Sequence, residues 1–211
     1  MKRIGIFGTS GHAREVGDIA VELGYLPIYV ARDQTERDVW IFPEDVMLES
    51  EVDRHSDIEF AIGIGENAIR QKVALRFAER LRFTPLIHPS ATFGQLQRHA
   101  IEERQGVVVC AGVRFTNNIR VGNFTLFNLN ATISHDVIVE DFVTVAPGAC
   151  ISGNVHLGYG CWIGAGAAIN QGSNTHKLRV GANTVIGSGS VVVKDCEPDA
   201  VYVGIPAKRI K

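Results

Sequence analysis

The chain has 211 residues, enough for one large domain or two small ones and for a core that needs no metal or disulfide. Its 21 lysine and arginine residues against 23 acidic residues give a net charge of −2, which disfavours charge-driven binding to nucleic acid. The composition, 45% hydrophobic and 21% charged, is typical of a folded protein, and no apolar stretch approaches the roughly 18 residues of a membrane span.

The start of the sequence and its cysteines both favour a cytoplasmic protein. The N-terminus leads directly into a strand-like run, and it lacks the apolar region and cleavage site of a secretory signal. The four cysteines are spaced neither as a zinc site nor as a disulfide framework, so we expect four free thiols in a reducing compartment.

Strand-like and helix-like patterns alternate in the first 85 residues. The predicted strands span residues 3–8, 27–30 and 59–64, and the predicted helices span residues 13–24 and about 68–81. This alternation favours a small α/β domain with a parallel, Rossmann-like sheet and right-handed crossovers.

A glycine-rich turn follows the first predicted strand. Gly5, Gly8 and Gly11 have the spacing Gly-x-x-Gly-x-x-Gly, which differs from the dinucleotide-binding fingerprint. A turn that opens a helix still directs backbone N–H groups toward a phosphate, so an anion site is expected here. The alternative is a turn in which glycine serves backbone geometry alone.

A six-residue repeat begins near residue 107 and runs to about residue 195. Its first position, from Val109 to Ile169, is a large apolar residue in eleven consecutive repeats, and its fifth, from Val113 to Ser173, is mostly small or β-branched. A helix with 3.6 residues per turn cannot keep a period of six on one face, whereas a coil of short flat strands can. Three hexapeptides would close one triangular coil of about 18 residues, with the first positions stacked inside.

The repeat is interrupted once. Val180 follows Ile169 by 11 positions, where the pattern requires 6 or 12, and the register then continues at Ile186 and Val192. Residues 171–178 are therefore predicted to leave the coil as a loop. That loop either covers a ligand or a neighbouring subunit, or is an inert excursion.

One outward-facing pair has the chemistry of a general base. His135 is third in its repeat, so it projects outward, and Asp136 beside it can accept a hydrogen bond from one ring nitrogen. Such a bond fixes the tautomer and raises the basicity of the other nitrogen, which suits proton transfer near neutral pH. The alternative is a solvated surface histidine.

Several motifs together resemble the NeuD/PglD-type sugar O- and N-acetyltransferases, a family of hexapeptide-repeat acyltransferases. They lie at residues 8–12, at Asn128, at His135 and Asp136, and at residues 141–142, 147–148, 153–155 and 203–208. The resemblance implies an α/β nucleotide-sugar-binding domain over residues 1–85 and a left-handed parallel β-helix with a C-terminal tail over residues 86–211. It also implies acetyl-CoA as cosubstrate and a homotrimer with active sites between subunits.

The resemblance assigns roles to individual residues. His135 would be the general base, Asp136 would orient its ring, and Asn128 would help to hold the substrate. The other substrate-binding residues would be Ser10, Gly11, His12, Asp33, Gly65, Asn67 and Arg70, with Glu66 lining the same cleft. The residues that contact acetyl-CoA would be Thr144, which replaces a histidine of some members, Gly153, whose amide would face the acetyl oxygen, Ala165 and Ser188. Lys208 and Arg209 in the tail would either help with the coenzyme's phosphates or be solvated.

These roles predict acetyl transfer to a nucleotide-linked 4-amino-4,6-dideoxy sugar made for a surface glycan or polysaccharide. The alternatives are a sugar O-acetyltransferase of the sialic acid type and a non-catalytic trimeric scaffold, and the sequence does not separate UDP, GDP and dTDP. A covalent cysteine route is disfavoured, because Cys161 is confined and Cys150 has no histidine partner in the repeat pattern. We expect no metal, because His135, His156 and His176 occupy different places relative to the repeat.

Overall fold

A computed structural model describes residues 2–211, and the N-terminal part is an α/β domain. Its strands are β1 Lys2–Phe7, β2 Tyr25–Ala31, β3 Val46–Leu48, β4 Glu59–Ile62 and β5 Arg82–Phe83. They form one parallel sheet in the order β3–β2–β1–β4–β5. The parallel order confirms the predicted α/β class.

Helices connect these strands: α1 Gly11–Glu22, α2 Gln34–Asp38, the 3-10 helix Glu49–His55 and α3 Asn67–Phe77. The predicted core face of α1 is confirmed, because Val16, Ile19 and Ala20 are buried. β3, α2 and the 3-10 helix were not predicted, since segments of three to seven residues are too short to show a hydrophobic period. No helix within residues 2–211 has the length and apolar character needed to cross a membrane.

From Leu86 onward the chain winds into a parallel β-helix with three faces. Face 1 contains β6 Leu86–Ile87, β8 Val108–Val109, β11 Leu126–Phe127, β14 Thr144–Val145, β17 Trp162–Ile163, β20 Val185–Ile186, β22 Val201–Val203 and β23 Lys208–Arg209. Face 2 contains β7 Thr92–Phe93, β9 Arg114–Phe115, β12 Thr132–Ile133, β15 Cys150–Ile151, β18 Ala168–Ile169 and β21 Val191–Val192. Face 3 contains β10 Arg120–Val121, β13 Ile138–Val139, β16 Val155–Leu157 and β19 Leu178–Val180. The domain boundary expected after residue 85 falls between β5 and β6.

The register of the coil follows the six-residue repeat. Leu126 on β11 pairs with Thr144 on β14, 18 residues further along. All eleven first positions from Val109 to Ile169 are at most 6% exposed, which confirms that they form the interior of the coil. Ser173, the last predicted fifth position, is exposed in the loop, so its predicted confinement is wrong. The chain leaves the coil before it reaches that residue.

Two insertions enlarge single coils. Leu86 pairs with Val108, 22 residues later, and the extra length holds α4, Gln97–Glu102, which packs beside β10. The buried Gln97 side chain accepts from the Ile119 N–H and donates to its carbonyl, so it occupies an exposed strand edge as a strand residue would. The second insertion is the predicted loop, because His156 pairs with Arg179, 23 residues later.

The N-terminal domain covers the upper part of face 1. The outward residues Leu86, Val108, Leu126 and Thr144 are all less than 4% exposed, although they point away from the coil interior. Lower on the same face, Val185 is 38% exposed. The interface with the N-terminal domain therefore ends about halfway down the coil.

A buried arginine joins the two domains. Arg70 on α3 is 2% exposed, and its Nε and Nη2 donate to the carbonyls of Phe124 and Phe142 at 2.9 Å each. Its Nη1 donates to the carbonyls of Ile64 and Gly65. Burial among these neutral acceptors lowers the pKa of Arg70 to about 10.

The two phenylalanines at this joint have an unusual backbone conformation. Phe124 and Phe142 have φ of 53° and 60°, a region that costs a bulky residue about 1–3 kcal/mol. Their rings stack with centroids 5.4 Å apart, and Phe124 also contacts Phe83 of the N-terminal domain. Packing and the Arg70 hydrogen bonds thus stabilise two turns that the local sequence disfavours.

Candidate active site

His135 and Asp136 lie in the turn between β12 and β13, at the corner between faces 2 and 3. His135 Nδ1 is 2.8 Å from Asp136 Oδ2, and the two side chains are 45% and 35% exposed. Because the carboxylate occupies Nδ1, the other ring nitrogen, Nε2, remains available to accept a proton from a substrate.

The turn that carries Asp136 is fixed by the neighbouring coils. Asp136 has φ of 61°, and Asn118 and Asn154, 18 residues before and after it, have φ of 54° and 57°. Asparagine and aspartate tolerate this left-handed region better than most residues. Asn118 Nδ2 also donates to Asp136 Oδ1 at 2.5 Å. The hydrogen bonds from His135 and then Asn118 lower the pKa of Asp136, so the carboxylate stays ionised.

The His135 ring rests directly on the backbone of the next coil. A Cβ built on Gly153 would lie 2.5 Å from His135 Cε1 and 2.6 Å from Nε2, so only glycine leaves space for the ring. The Asn154 N–H donates to the His135 carbonyl at 3.0 Å. The Gly153 amide itself donates to no acceptor in residues 2–211, which leaves it available for the predicted contact with the acetyl oxygen.

Three other predicted ligand residues lie at the corner between faces 1 and 2. Asn128 is half-buried, and its Oδ1 accepts from the Leu129 N–H at 2.7 Å. Ala165 and Ser188 are exposed in turns of lower coils. A face of four or five extended residues separates this corner from His135 by roughly 15 Å. A single chain therefore does not bring Asn128 to His135.

The N-terminal glycine turn combines strict geometry with an open helix end. Gly8 has φ of +111°, and a Cβ there would lie 3.1 Å from the Gly63 carbonyl, so this glycine serves the backbone. Ser10 precedes α1 and makes no side-chain cap, which leaves the first amides of the helix open to an anion. Asp33 follows β2 and caps α2 by accepting from the Glu36 N–H, a bond that lowers its pKa.

Gly11, His12 and Gly65 line a cleft with one unmet hydrogen bond. A Cβ on Gly11 or Gly65 would meet nothing closer than 3.9 Å, so packing within the chain does not require glycine at either place. His12 Nδ1 pairs with Glu15 Oε2 at 2.9 Å, and its Nε2 is buried with no partner among the described residues. Buried polar atoms are normally bonded, so this nitrogen points to a missing ligand or subunit.

Asn67, Arg70 and Thr144 are engaged at the domain joint. Thr144 is 1% exposed; its hydroxyl donates to Asn67 Oδ1 at 2.6 Å and accepts from Arg70 Nη2 at 2.8 Å. Asn67 also donates to the carbonyl of Gly160 at 2.8 Å. These side chains therefore hold the domains together, a role that the sequence analysis did not assign, and their ligand contacts stay predictions.

The predicted substrate residues do not fall into one pocket. Glu66 and Asn67 line a pocket of about 420 Å³ between α3 and the exposed part of face 1, next to Trp162. A separate pocket of about 270 Å³ lies between α1 and the corner of Asn128, and Glu15 and His88 line it. His12, which pairs with Glu15, lies near this second pocket.

The histidines and cysteines are partnered separately. Each histidine of the metal alternative pairs with a different carboxylate: His135 with Asp136, His156 with Glu140 at 2.6 Å, and His176 with Asp195 at 3.2 Å. Across the described chain, no group of three or more potential ligands could hold a metal ion. All four cysteines are free thiols, and burial raises the pKa of Cys110 to about 12 and of Cys196 to about 11. Only Cys150 is exposed.

The stacked triangular coils and the outward His–Asp pair on one corner define a left-handed β-helix acyltransferase. Comparison with known proteins narrows this class. The PglD N-terminal domain matches residues 3–77. A GDP-perosamine N-acetyltransferase of Escherichia coli is 27% identical over 228 residues, covering 100% of this chain and 97% of the relative. A galactoside O-acetyltransferase of Escherichia coli is 32% identical over 117 residues, which cover 46% of this chain and 55% of that relative.

A solved structure supports the same assignment. The acetyltransferase domain of PglB from Neisseria gonorrhoeae has a TM-score of 0.85 and 27% identity, covering 100% of both chains. Its complex with acetyl coenzyme A has a TM-score of 0.80 and 25% identity, covering 99% of both. The present chain is an acetyltransferase, and it belongs to the NeuD/PglD-type family whose motifs its sequence carries.

Sequence reasoning missed three residues that contact the site. They are Asn118, which holds Asp136, Glu15, which holds His12, and Lys177, which reaches the Asp136 carbonyl. A signal existed for Asn118, because a coil of 18 residues stacks each residue on the one 18 positions away. None existed for Lys177, since the loop departs from the repeat.

Proposed function

We propose that the protein transfers the acetyl group of acetyl-CoA to the amine of a nucleotide-linked amino sugar, with His135 as general base. The observation that carries this proposal is the 2.8 Å contact between His135 and Asp136, in a turn fixed by its neighbours. The full-length similarity to a GDP-perosamine N-acetyltransferase supports a 4-amino-4,6-dideoxy sugar as acceptor. Such a product would enter a surface glycan or polysaccharide.

The chemistry is direct acyl transfer. The amine nitrogen bonds to the thioester carbonyl carbon while His135 Nε2 takes its proton, and ionised Asp136 stabilises the imidazolium that forms. The tetrahedral intermediate then collapses with cleavage of the C–S bond, and the proton passes from His135 to the leaving thiolate. We assign the free amide of Gly153 to the developing oxyanion, because it lies against the His135 ring.

The nucleotide-sugar site is assigned to the cleft of Gly11, His12 and Gly65. The open amides at the start of α1 suit a diphosphate, and the unpartnered His12 Nε2 suits a polar group of the ligand. The absence of side chains at Gly11 and Gly65 leaves space for a close approach.

The homotrimer is assigned to packing through face 2. Face 1 is half covered by the N-terminal domain, and face 3 carries Arg120, His156 and Arg179 outward. The outward residues of face 2 from β12 onward are uncharged: Thr132, Cys150, Ala168 and Val191. The core of a subunit interface is depleted of charge, so face 2 fits best.

This packing would complete the active site. Face 2 is bounded by the corner of His135 on one edge and by the corner of Asn128, Ala165 and Ser188 on the other. Around a threefold axis, the His135 corner of one protomer meets the Asn128 corner of its partner. The two sets of predicted residues, which are far apart in one chain, would then lie together.

A hydroxyl acceptor is the second candidate function. The match to a galactoside O-acetyltransferase favours it, and a hydroxyl can use the same base. We place either activity in the cytoplasm, which is consistent with four cysteines that are all free thiols.

The test is thiol release from acetyl-CoA with UDP-, GDP- and dTDP-linked 4-amino-4,6-dideoxy sugars and with free sialic acid. We expect turnover with one nucleotide amino sugar and a loss of about 100-fold or more in His135→Ala, which should remain trimeric. Turnover with sialic acid alone would favour the hydroxyl acceptor. Unchanged turnover in His135→Ala would refute the mechanism, and failure to bind acetyl-CoA would leave a trimeric scaffold.

A further inference from the structure

The loop that interrupts the repeat folds back along the corner of His135. The Gly172 N–H donates to the Gly153 carbonyl at 3.1 Å, and the Leu178 N–H donates to the Asn154 carbonyl at 3.0 Å. Both acceptors belong to the turn on which the His135 ring rests. The loop is therefore anchored at each end to the support of the candidate base.

Two side chains tie the loop more closely to this turn. Lys177 Nζ donates to the Asp136 carbonyl at 2.5 Å and lies 3.4 Å from Asn154 Oδ1. Asn154 Nδ2 donates to Asn174 Oδ1 at 3.2 Å. Asn154 is 4% exposed, so its amide is a buried link between the loop and the His135 turn.

We propose that Lys177 is a positioning residue, which holds the Asp136 turn so that His135 is aligned for proton transfer. This inference rests on the proposed role of His135. Lys177 bonds the backbone of the residue whose carboxylate orients the ring, and through Asn154 it also bonds the turn beneath the ring. A shift of the Asp136 carbonyl would move the carboxylate and therefore the imidazole.

The chemistry of the turn explains why an ammonium group fits there. Asp136 has a left-handed backbone at a corner, and Lys177 donates directly to its carbonyl. The lysine charge also lies near the Asp136 carboxylate and favours its ionised form, as do the closer His135 and Asn118. A misplacement of about 1 Å in such a site can cost up to 100-fold in rate.

The test compares Lys177→Met with Lys194→Met. Lys194 is exposed on the next coil and donates no hydrogen bond within the described residues, so it is a matched control for charge and size. We expect kcat of Lys177→Met to fall roughly 10- to 100-fold, with KM for acetyl-CoA and for the acceptor changed less than about 2-fold. The melting temperature and trimer mass should match the wild type, and Lys194→Met should keep full kcat.

A second variant keeps the inference testable if Lys177→Met does not fold. Asn154→Gly removes both side-chain ties, and glycine accepts the φ of 57° at this position. We expect kcat to fall in this variant as well, without a matching rise in KM.

The outcomes separate this inference from the proposed function. Normal kcat in Lys177→Met beside an inactive His135→Ala would overturn the positioning role and leave the base intact. A rise in KM for acetyl-CoA at unchanged kcat would mean that Lys177 binds the coenzyme, and would overturn it too. Full activity in His135→Ala would instead refute the proposed function.

Discussion

Arg70→Met tests the account of the domain joint. The substitution removes the donors to the carbonyls of Phe124 and Phe142, both buried against the N-terminal domain. Each buried acceptor left without a partner costs about 1–3 kcal/mol. The lost bonds total roughly 2–6 kcal/mol, and the desolvation that methionine avoids offsets part of that. We therefore expect the domain joint to lose about 3 kcal/mol.

The chain contains a fluorescent reporter for each domain. Trp40 lies in the N-terminal domain and Trp162 on face 1 of the β-helix, so Trp162→Phe leaves a signal from the first domain alone. We expect urea to unfold this domain at a lower concentration in Arg70→Met than in the parent, at equal protein concentration. Arg76→Met is the control on the same helix, because Arg76 is 61% exposed and its pair with Glu49 is worth at most about 1 kcal/mol.

The pH dependence of this effect has a definite sign. Arg70 has a depressed pKa of about 10 in the folded state, so folding disfavours its charged form. Below that pH the side chain is charged in both the folded and unfolded states. The difference between Arg70→Met and wild type should therefore be constant from about pH 6 to 9, and wild-type stability should gain from deprotonation only above about pH 10. A loss below about 0.5 kcal/mol, or no larger than that of Arg76→Met, would refute the reasoning.

Three further substitutions test the site. Gly153→Ala should lower turnover at least about 10-fold in a folded protein, because its Cβ would displace the His135 ring; steady-state kinetics beside Ser152→Ala checks this. Asp136→Asn should shift the acidic limb of kcat/KM to lower pH, because the carboxylate that stabilises the imidazolium is lost; an unmoved limb contradicts the assigned pair. Ala168→Arg should yield inactive monomers in sedimentation velocity with a newly reactive Cys150, whereas Ile138→Arg on face 3 should stay trimeric.

Much of the fold follows from short-range pattern. The period of six predicted all eleven inward residues from Val109 to Ile169, since each coil position repeats the same local environment. The prediction failed at Ser173, where the chain leaves the coil. It also missed the first coil at β6 and β7, because α4 interrupts the repeat before it is established.

The candidate site is only partly a matter of local sequence. His135 and Asp136 are adjacent, so their hydrogen bond could be anticipated from the repeat position alone. The seat on Gly153 and the Asn118 contact need the coil, because they join residues 18 apart. The tie from Lys177 joins residues 41 positions apart and depends on how an irregular loop folds back.

The sequence by itself determined the parallel α/β unit, the β-helix interior and the outward His–Asp pair, because hydrophobic period and neighbouring residues encode them locally. Only the tertiary structure decided that Arg70 and Thr144 hold the domain joint, that His12 Nε2 lacks a partner, and that the corners of Asn128 and His135 lie on opposite edges of one face. These features depend on contacts between segments that are distant in the chain, whose burial and hydrogen-bond partners exist only once the domains have packed.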